Sequence, residues 1–185
     1  MAIANYTRTC AKNTPGNTSL FFTEKDNITS VTVTSGEVSA VTMGTGLTFH
    51  EVQVRKHTIR RKQEETGNDG NISIKHTLEC VFIGLGKDLI TLKTAIYNAL
   101  ACGLVAVIKD ANDQSWLSGW NDTTYGVDAY STINATEDSG VKASDDEMGT
   151  YTLIIEAESG YNDLPFDTTQ NAAIKGETAT YITFN

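Results

Sequence analysis

Residues 104–120, LVAVIKDANDQSWLSGW, form the most strongly patterned part of this sequence. The apolar run at 104–108 has the length and composition of a buried strand. The Asp/Asn/Asp cluster that follows is typical of a turn, because aspartate and asparagine tolerate the left-handed conformation and cap turns with their side chains. Trp116 and Trp120 are then predicted to lie on a second strand. The stretch therefore predicts two strands joined by a turn.

The same stretch permits a metal-binding interpretation. Asp110, Asn112 and Gln114 stand at positions 1, 3 and 5 of an EF-hand-like calcium loop. Position 6, however, is Ser115 rather than glycine, and position 12 is Asn121 rather than glutamate. We favour the turn over the calcium site and expect no metal.

The two tryptophans permit a second chemical interpretation. Trp116 and Trp120 are four residues apart, which places both on one face of the predicted strand. Paired aromatic side chains either carry a sugar ring or pack in a core or subunit interface. We favour packing or interface roles. A carbohydrate-binding β-sandwich or adhesin that uses both tryptophans is the alternative of a different class.

Composition points to one β-rich domain, with or without extended arms. The chain has 185 residues, of which 39% are hydrophobic, enough to build a core. Prolines number only 2, while threonine, whose branched side chain suits a pleated sheet, is frequent. The formal net charge of -9 argues against a protein that grips nucleic acid through a basic surface. No apolar run approaches the ~20 residues of a membrane-spanning helix, so we expect no membrane insertion.

A long hairpin is predicted before the central stretch. Residues 47–61 form the longest predicted strand, and residues 72–83 return beside it with apolar side chains at every second position. The loop 62–71, KQEETGNDGN, is charged and is expected to project beyond the domain. Further strands are predicted at 19–23, 28–33, 37–43, 104–108 and 151–158.

One helix is predicted, over 86–102. Leucine and isoleucine recur there at helical spacing, and Gly103 stands where a C-terminal cap is expected. We therefore expect a mainly β fold with one α-helix, a β-sandwich or barrel. Residues 1–17 would be an N-terminal arm, 18–160 the domain, and 161–185 a C-terminal arm or strand.

Catalytic motifs are not recognisable in the sequence. Asp145, Asp146 and Glu147 cluster in a predicted loop, with no base or apolar pocket beside them in the sequence. A hydrolase that uses these carboxylates is a third hypothesis. We predict no enzyme and no cofactor.

Several segments together resemble a known family. In chain order they are ITSVTVTSGEVSAVTM, KDLITLKTAIYNALACG, LVAVIKDANDQSWLSGW and YTLIIEAES, with the long hairpin before the helix. Their order over residues 18–165 resembles the tail tube and related tail proteins of tailed bacteriophages. The matching motifs are architectural rather than catalytic.

The resemblance implies a structural virion protein of a phage tail, assembled in the host cytoplasm. Such proteins form a β-sandwich with one flanking helix and assemble as hexameric rings. Their inner sheets close into a continuous barrel, the rings stack into a tube, and DNA passes through the lumen at ejection without specific binding. Partners would be further copies of the chain and other tail proteins: a terminator, a sheath, or baseplate and tip components. Tail terminators, connectors and distal tail proteins share the fold family and are alternatives.

On this hypothesis the inner sheet comprises residues 37–43, 48–60, 72–83 and 151–158. The lumen or interface candidates are Glu37, Glu51, Glu79, Glu156 and Glu158. The hairpin that bridges stacked rings would carry Arg60, Arg61, Lys62, Glu64, Glu65 and Asp69, because basic side chains suit a neighbouring ring better than a lumen. Trp116 and Trp120 would be packing or interface anchors.

Overall fold

A computed structural model describes residues 16–55, 57–68, 71–120, 128–139, 149–176 and 181–182. Twelve strands and two α-helices are assigned within these residues. In chain order they are β1 (Asn17–Glu24), a short helical turn (Lys25–Asn27), β2 (Ile28–Thr34), β3 (Glu37–Met43), β4 (Phe49–Glu51), β5 (Arg60–Asn68), β6 (Asn71–Ile83), α1 (Lys87–Cys102), β7 (Leu104–Asp110), β8 (Ser115–Ser118), β9 (Thr132–Asp138), β10 (Thr150–Ser159), β11 (Leu164–Pro165), α2 (Thr168–Gly176) and β12 (Tyr181–Ile182).

The strands form three antiparallel sheets. The largest has the order β11-β8-β7-β1-β4-β12, the second β5-β6-β10-β9, and the third is the β2-β3 hairpin. The expectation of a mainly β fold is confirmed. Within the part of the chain that the structure describes, no sheet closes on itself into a barrel.

Strand β7 lies at the centre of the six-stranded sheet and is buried on both faces. Leu104, Ala106 and Ile108 belong to one hydrophobic cluster, while Val105 and Val107 belong to another. Side chains alternate between the two faces of a strand, so an unbroken apolar run is what a doubly covered strand requires. This is why residues 104–108 show no polar alternation.

The first cluster fills the space between the six-stranded and four-stranded sheets. It joins β1 and β7 to the inward positions of β6 and β10, such as Leu78 and Leu153. Helix α1 adds its buried stripe, which includes Ile96 and Leu100. The helix predicted over 86–102 is confirmed, as is Gly103 at its C-terminal end.

The second cluster covers the opposite face of the six-stranded sheet. The β2-β3 hairpin and α2 supply this cover, with Val38, Val41 and Ile174 buried against β7 and β8. The expectation of one helix is therefore wrong. The TTQNAAIKG sequence of α2 has a weak apolar stripe, and its helix is held by tertiary packing.

The two predicted terminal arms differ in how far the structure describes them and in whether they pack into the fold. In the C-terminal part, Leu164 and Phe166 are buried in the second cluster, and β12 pairs with β4, so the described residues of 161–185 pack into the fold. In the N-terminal part, residues 1–15 lie outside the described residues, and Asn17 already begins β1.

The predicted hairpin exists with different bounds. Residues 47–61 are not one strand, because β4 joins the six-stranded sheet while β5 begins only at Arg60. Between them the chain crosses from one sheet to the other. The Val52 amide donates to the Leu20 carbonyl at 2.8 Å, and the Arg55 amide donates to the Val81 carbonyl at 2.7 Å. An alternating sequence does not report such a crossover.

The predicted loop 62–71 is largely strand. β5 continues to Asn68, which lies opposite Asn71. The strands proposed for the inner sheet consequently fall in three sheets, and only β6 and β10 of that set are neighbours. Alternation along one strand shows its buried face but not its partner.

Gly103 lies between α1 and β7 at a position that has no room for a side chain. Its φ is +95°, and a Cβ there would lie 2.6 Å from the Ala129 Cβ. Gly36 has a similar φ of +85° with nothing within 4 Å of a Cβ. We expect Gly36→Ala to lower the free energy of unfolding by about 1 kcal/mol through backbone strain alone. Gly103→Ala adds a steric clash, for a total of about 3 kcal/mol. Urea denaturation measures both, and equal losses would contradict this account of Gly103.

Candidate assembly surface

The four-stranded sheet presents a mostly polar face on the side away from the core. Residues directly opposite on paired strands share a face, and the inward positions, such as Leu78 and Ile155, are buried. Val81, Ile83 and Ile154 are apolar members of the outward face. Its polar members are Arg60, Lys62, Glu64 and Thr66 on β5, Ser73, Lys75, Thr77 and Glu79 on β6, Thr150, Thr152, Glu156 and Glu158 on β10, and Thr132, Asn134, Thr136 and Asp138 on β9.

Acidic side chains outnumber basic ones on these outward strand positions. Lys75 lies 2.8 Å from Glu156, and Lys62 lies 2.7 Å from Glu64. The hydrogen bond to Glu156 raises the pKa of Lys75, and the hydrogen bond to Lys62 lowers the pKa of Glu64. Such exposed pairs add little stability because water screens them. The outward face as a whole is therefore hydrated and carries more acidic than basic side chains.

The proposed lumen residues divide between sheets. Glu79, Glu156 and Glu158 lie together on this outward face. Glu37 begins β3 in the two-stranded sheet, and Glu51 lies on β4 in the six-stranded sheet. The structure thus brings together three of the five residues.

The β5-β6 hairpin extends past its neighbour β10. The last β6-β10 pair is Ile74 with Ser159, and beyond it residues 66–68 and 71–73 form an exposed two-stranded tip. Ile72, on this tip, is 58% exposed. Of the proposed ring-bridging residues, Glu64 and Glu65 adjoin the tip, Arg60 and Lys62 lie farther back on β5, and Asp69 lies outside the described residues.

Arg61 points into the protein rather than toward the tip. Its Nη1 donates to Oδ2 of Asp163 at 2.9 Å, and its guanidinium lies 4.1 Å from the ring centre of Trp116. Arg61, one of the proposed ring-bridging hairpin residues, thus contacts its own subunit through this side chain. The guanidinium therefore links β5 to the segment between β10 and β11 through its hydrogen bond to Asp163.

His76 belongs to the same buried network. Its Nε2 donates to the Tyr161 carbonyl at 3.0 Å, and its Nδ1 lies 3.2 Å from Nε2 of Gln63. A carbonyl only accepts, so Nε2 carries a hydrogen. Asp163 Oδ1 lies 3.4 Å from that nitrogen and accepts no hydrogen bond from the described residues. The network spans residues 61–163, so no local spacing in the sequence reveals it.

The two tryptophans lie in different surroundings. Trp116 is half-buried beside Arg61, whereas Trp120 is buried in the second cluster with Leu117. β8 ends at Ser118, and Gly119 then adopts φ +85°. The expectation that both tryptophans share one face of a strand is wrong, because the chain turns between them.

The predicted turn between β7 and β8 is confirmed. Asp110 Oδ1 accepts the Asn112 amide at 2.8 Å and the Gln114 amide at 2.9 Å, and Asp113 has φ +66°. The side chain of Gln114 donates to the Phe166 carbonyl at 2.9 Å. These groups bind backbone instead of converging on an ion. Among the residues that the structure describes, no cluster of His, Cys, Asp or Glu could hold a metal.

Three buried acidic groups, the Cys80 thiol and the Tyr130 and Tyr151 hydroxyls, are held neutral. Burial raises the pKa of Cys80 to about 12 and raises the pKa of Tyr130 and Tyr151 above the usual tyrosine range. A thiol without its thiolate form is a poor nucleophile.

The proposed loop carboxylates Asp145, Asp146 and Glu147 lie outside the described residues.

No protein-family model, curated protein or solved structure matches this chain. Neither helix in the described ranges is long and apolar enough to cross a membrane.

Asp163 provides a test of the buried network. We expect Asp163→Asn to lower the free energy of unfolding by about 3 kcal/mol, because Arg61 loses its buried counter-charge. Glu79→Gln is the matched control, since Glu79 lies 3.9 Å from the exposed Arg60, and its cost should stay below about 1 kcal/mol. Urea denaturation gives both values. Similar costs for the two variants would refute a special role for the Arg61–Asp163 pair.

Proposed function

We propose that this chain is a structural subunit of the tail tube type, which forms rings that stack into a tube in a phage tail. The observation that carries the proposal is the four-stranded sheet, with its hydrated outward face and its outer strands β5 and β9. A subunit that lines a channel needs one face for the core and one for water. It also needs two edges for its neighbours.

The edges suit ring closure. Backbone groups on an edge strand are a template for pairing with another chain, and closing a sheet into a ring removes them. Strand direction alternates across β5-β6-β10-β9, so β5 and β9 run in opposite directions. The β9 strand of one copy can therefore continue the antiparallel sheet beside β5 of the next.

The outward face suits the lining of a DNA channel. Its acidic excess, with Glu79, Glu156 and Glu158 among the carboxylates, repels phosphate, so DNA slides without being held. The exposed hairpin tip lies at the ends of the strands and extends toward the next ring of the stack. Six copies per ring, the virion location and the other tail components as partners come from the family resemblance.

A carbohydrate-binding function has weaker support. A sugar platform needs two exposed aromatic faces, whereas Trp120 is buried and Trp116 carries the Arg61 guanidinium. Terminators, connectors and distal tail proteins differ from a tube subunit in whether their rings stack repeatedly. The length of the assembly therefore separates these alternatives.

Electron microscopy of the purified full chain tests the proposal. We expect rings or tubes of uniform width in negative stain, and large species by analytical ultracentrifugation, because open edges and complementary charges favour self-association. Single rings that never stack would favour a terminator or connector. A chain that stays monomeric at high concentration in every salt condition would exclude self-assembly as its function.

Ile72 tests the hairpin as the contact between rings. We expect Ile72→Asp to stop stacking and leave single rings, because stacking would bury an isoleucine that is 58% exposed in the free subunit. Ile72→Val is the matched control and should form tubes. The folding free energy should change by less than about 0.5 kcal/mol, as is usual for exposed positions. Full-length tubes of Ile72→Asp would place the ring contact elsewhere.

A further inference from the structure

The two edges of the four-stranded sheet differ in charge. Arg60 and Lys62 point outward from β5, and their side chains are 67% and 43% exposed. Arg60 lies 3.9 Å from Glu79, and Lys62 lies 2.7 Å from Glu64, so each has an acidic neighbour in its own subunit while remaining open to water. The β5 edge is thus the more basic of the two.

A cleft of about 340 Å³ lies at the opposite edge, where β9 begins. β9 pairs with β10 only as far as Thr132 opposite Glu156, so among the described residues β10 continues past its neighbour. Asp128, Glu156 and Glu158 line the cleft with three carboxylates. Among the described residues, Lys75 is the cation in the lining, and it already lies 2.8 Å from Glu156. The cleft keeps an acidic excess.

The strand register places Lys62 at the basic edge and Glu156 at the acidic cleft on one row of directly opposite residues across the sheet. Lys62 is opposite Thr77, Thr77 is opposite Glu156, and Glu156 is opposite Thr132 at the cleft. All four side chains point outward. When a second copy adds its β5 beside β9, that strand lies two strand spacings, about 10 Å, from β10. Opposed lysine and glutamate side chains are long enough to meet across that gap.

We propose that this acidic cleft binds Lys62 of a second copy and so sets the register in which subunits join. The inference rests on the proposed self-assembly and adds the side chains that recognise the neighbour. Edge pairing by backbone alone tolerates slippage by two residues, because such a shift keeps every side chain on its face. A charge pair at one row removes that ambiguity.

Charge reversal on each side tests the proposal. One variant carries Lys62→Glu, and the other carries Asp128→Lys with Glu158→Lys. All three positions are exposed, so both variants should fold, as circular dichroism and urea denaturation will show. Each variant alone should need at least tenfold more protein than the unaltered chain to assemble. Lys87→Glu and Asp26→Lys are exposed single-charge controls that should assemble normally.

Mixing the two variants gives the decisive result. In a 1:1 mixture the acidic edge of one variant meets the basic cleft of the other, and the remaining edge and cleft are both unaltered. Alternating rings should therefore form at the concentration of the unaltered chain. Normal assembly of either variant alone, or no rescue on mixing, overturns the cleft as the recognition site while the unaltered chain still assembles. Failure of the unaltered chain to assemble overturns the proposed function as well.

Discussion

Burial of β7 on both faces is the constraint around which the other layers are arranged. Its five apolar residues at 104–108 leave no side open to water, so the six-stranded sheet needs a cover on each face. The four-stranded sheet and α1 form one cover, and the β2-β3 hairpin with α2 forms the other. Each cover comes from both halves of the chain. The C-terminal segment must therefore return to the core, which explains why α2 and β11 are not a free arm.

The Arg61–Asp163 pair joins these layers where apolar packing ends. Arg61 belongs to β5, while Asp163 lies just before β11, so the pair connects the edge of the four-stranded sheet to the edge of the six-stranded sheet. His76 adds a bond to the Tyr161 carbonyl. Burying charge is costly unless it is paired, so this junction specifies one relative placement of the two sheets. The outward face can then vary in charge without loosening the core.

The sequence predicted those elements whose pattern reports their surroundings. β6 and β10 alternate, β7 is continuously apolar, and α1 repeats at helical spacing, so the sequence alone indicates all four. It does not indicate β5, because RRKQEETGN has no apolar period and its strand conformation comes from pairing with β6. The same reasoning explains the partial success at the candidate site. Glu79, Glu156 and Glu158 alternate with buried residues, whereas the placement of Glu37 and Glu51 depends on which strand pairs with which.

The edges of the four-stranded sheet also affect how quickly two wrongly paired copies would separate. Neither RRKQEETGN on β5 nor TINATED on β9 offers a continuous apolar strip. A single mismatched contact between two copies consequently buries little apolar surface and has a short lifetime. In the proposed assembly, only a neighbour that matches the edge in backbone pairing, charge and position would stay bound. For the proposed tube subunit, polar edges would delay the first association events and set a threshold concentration below which the copies remain dispersed.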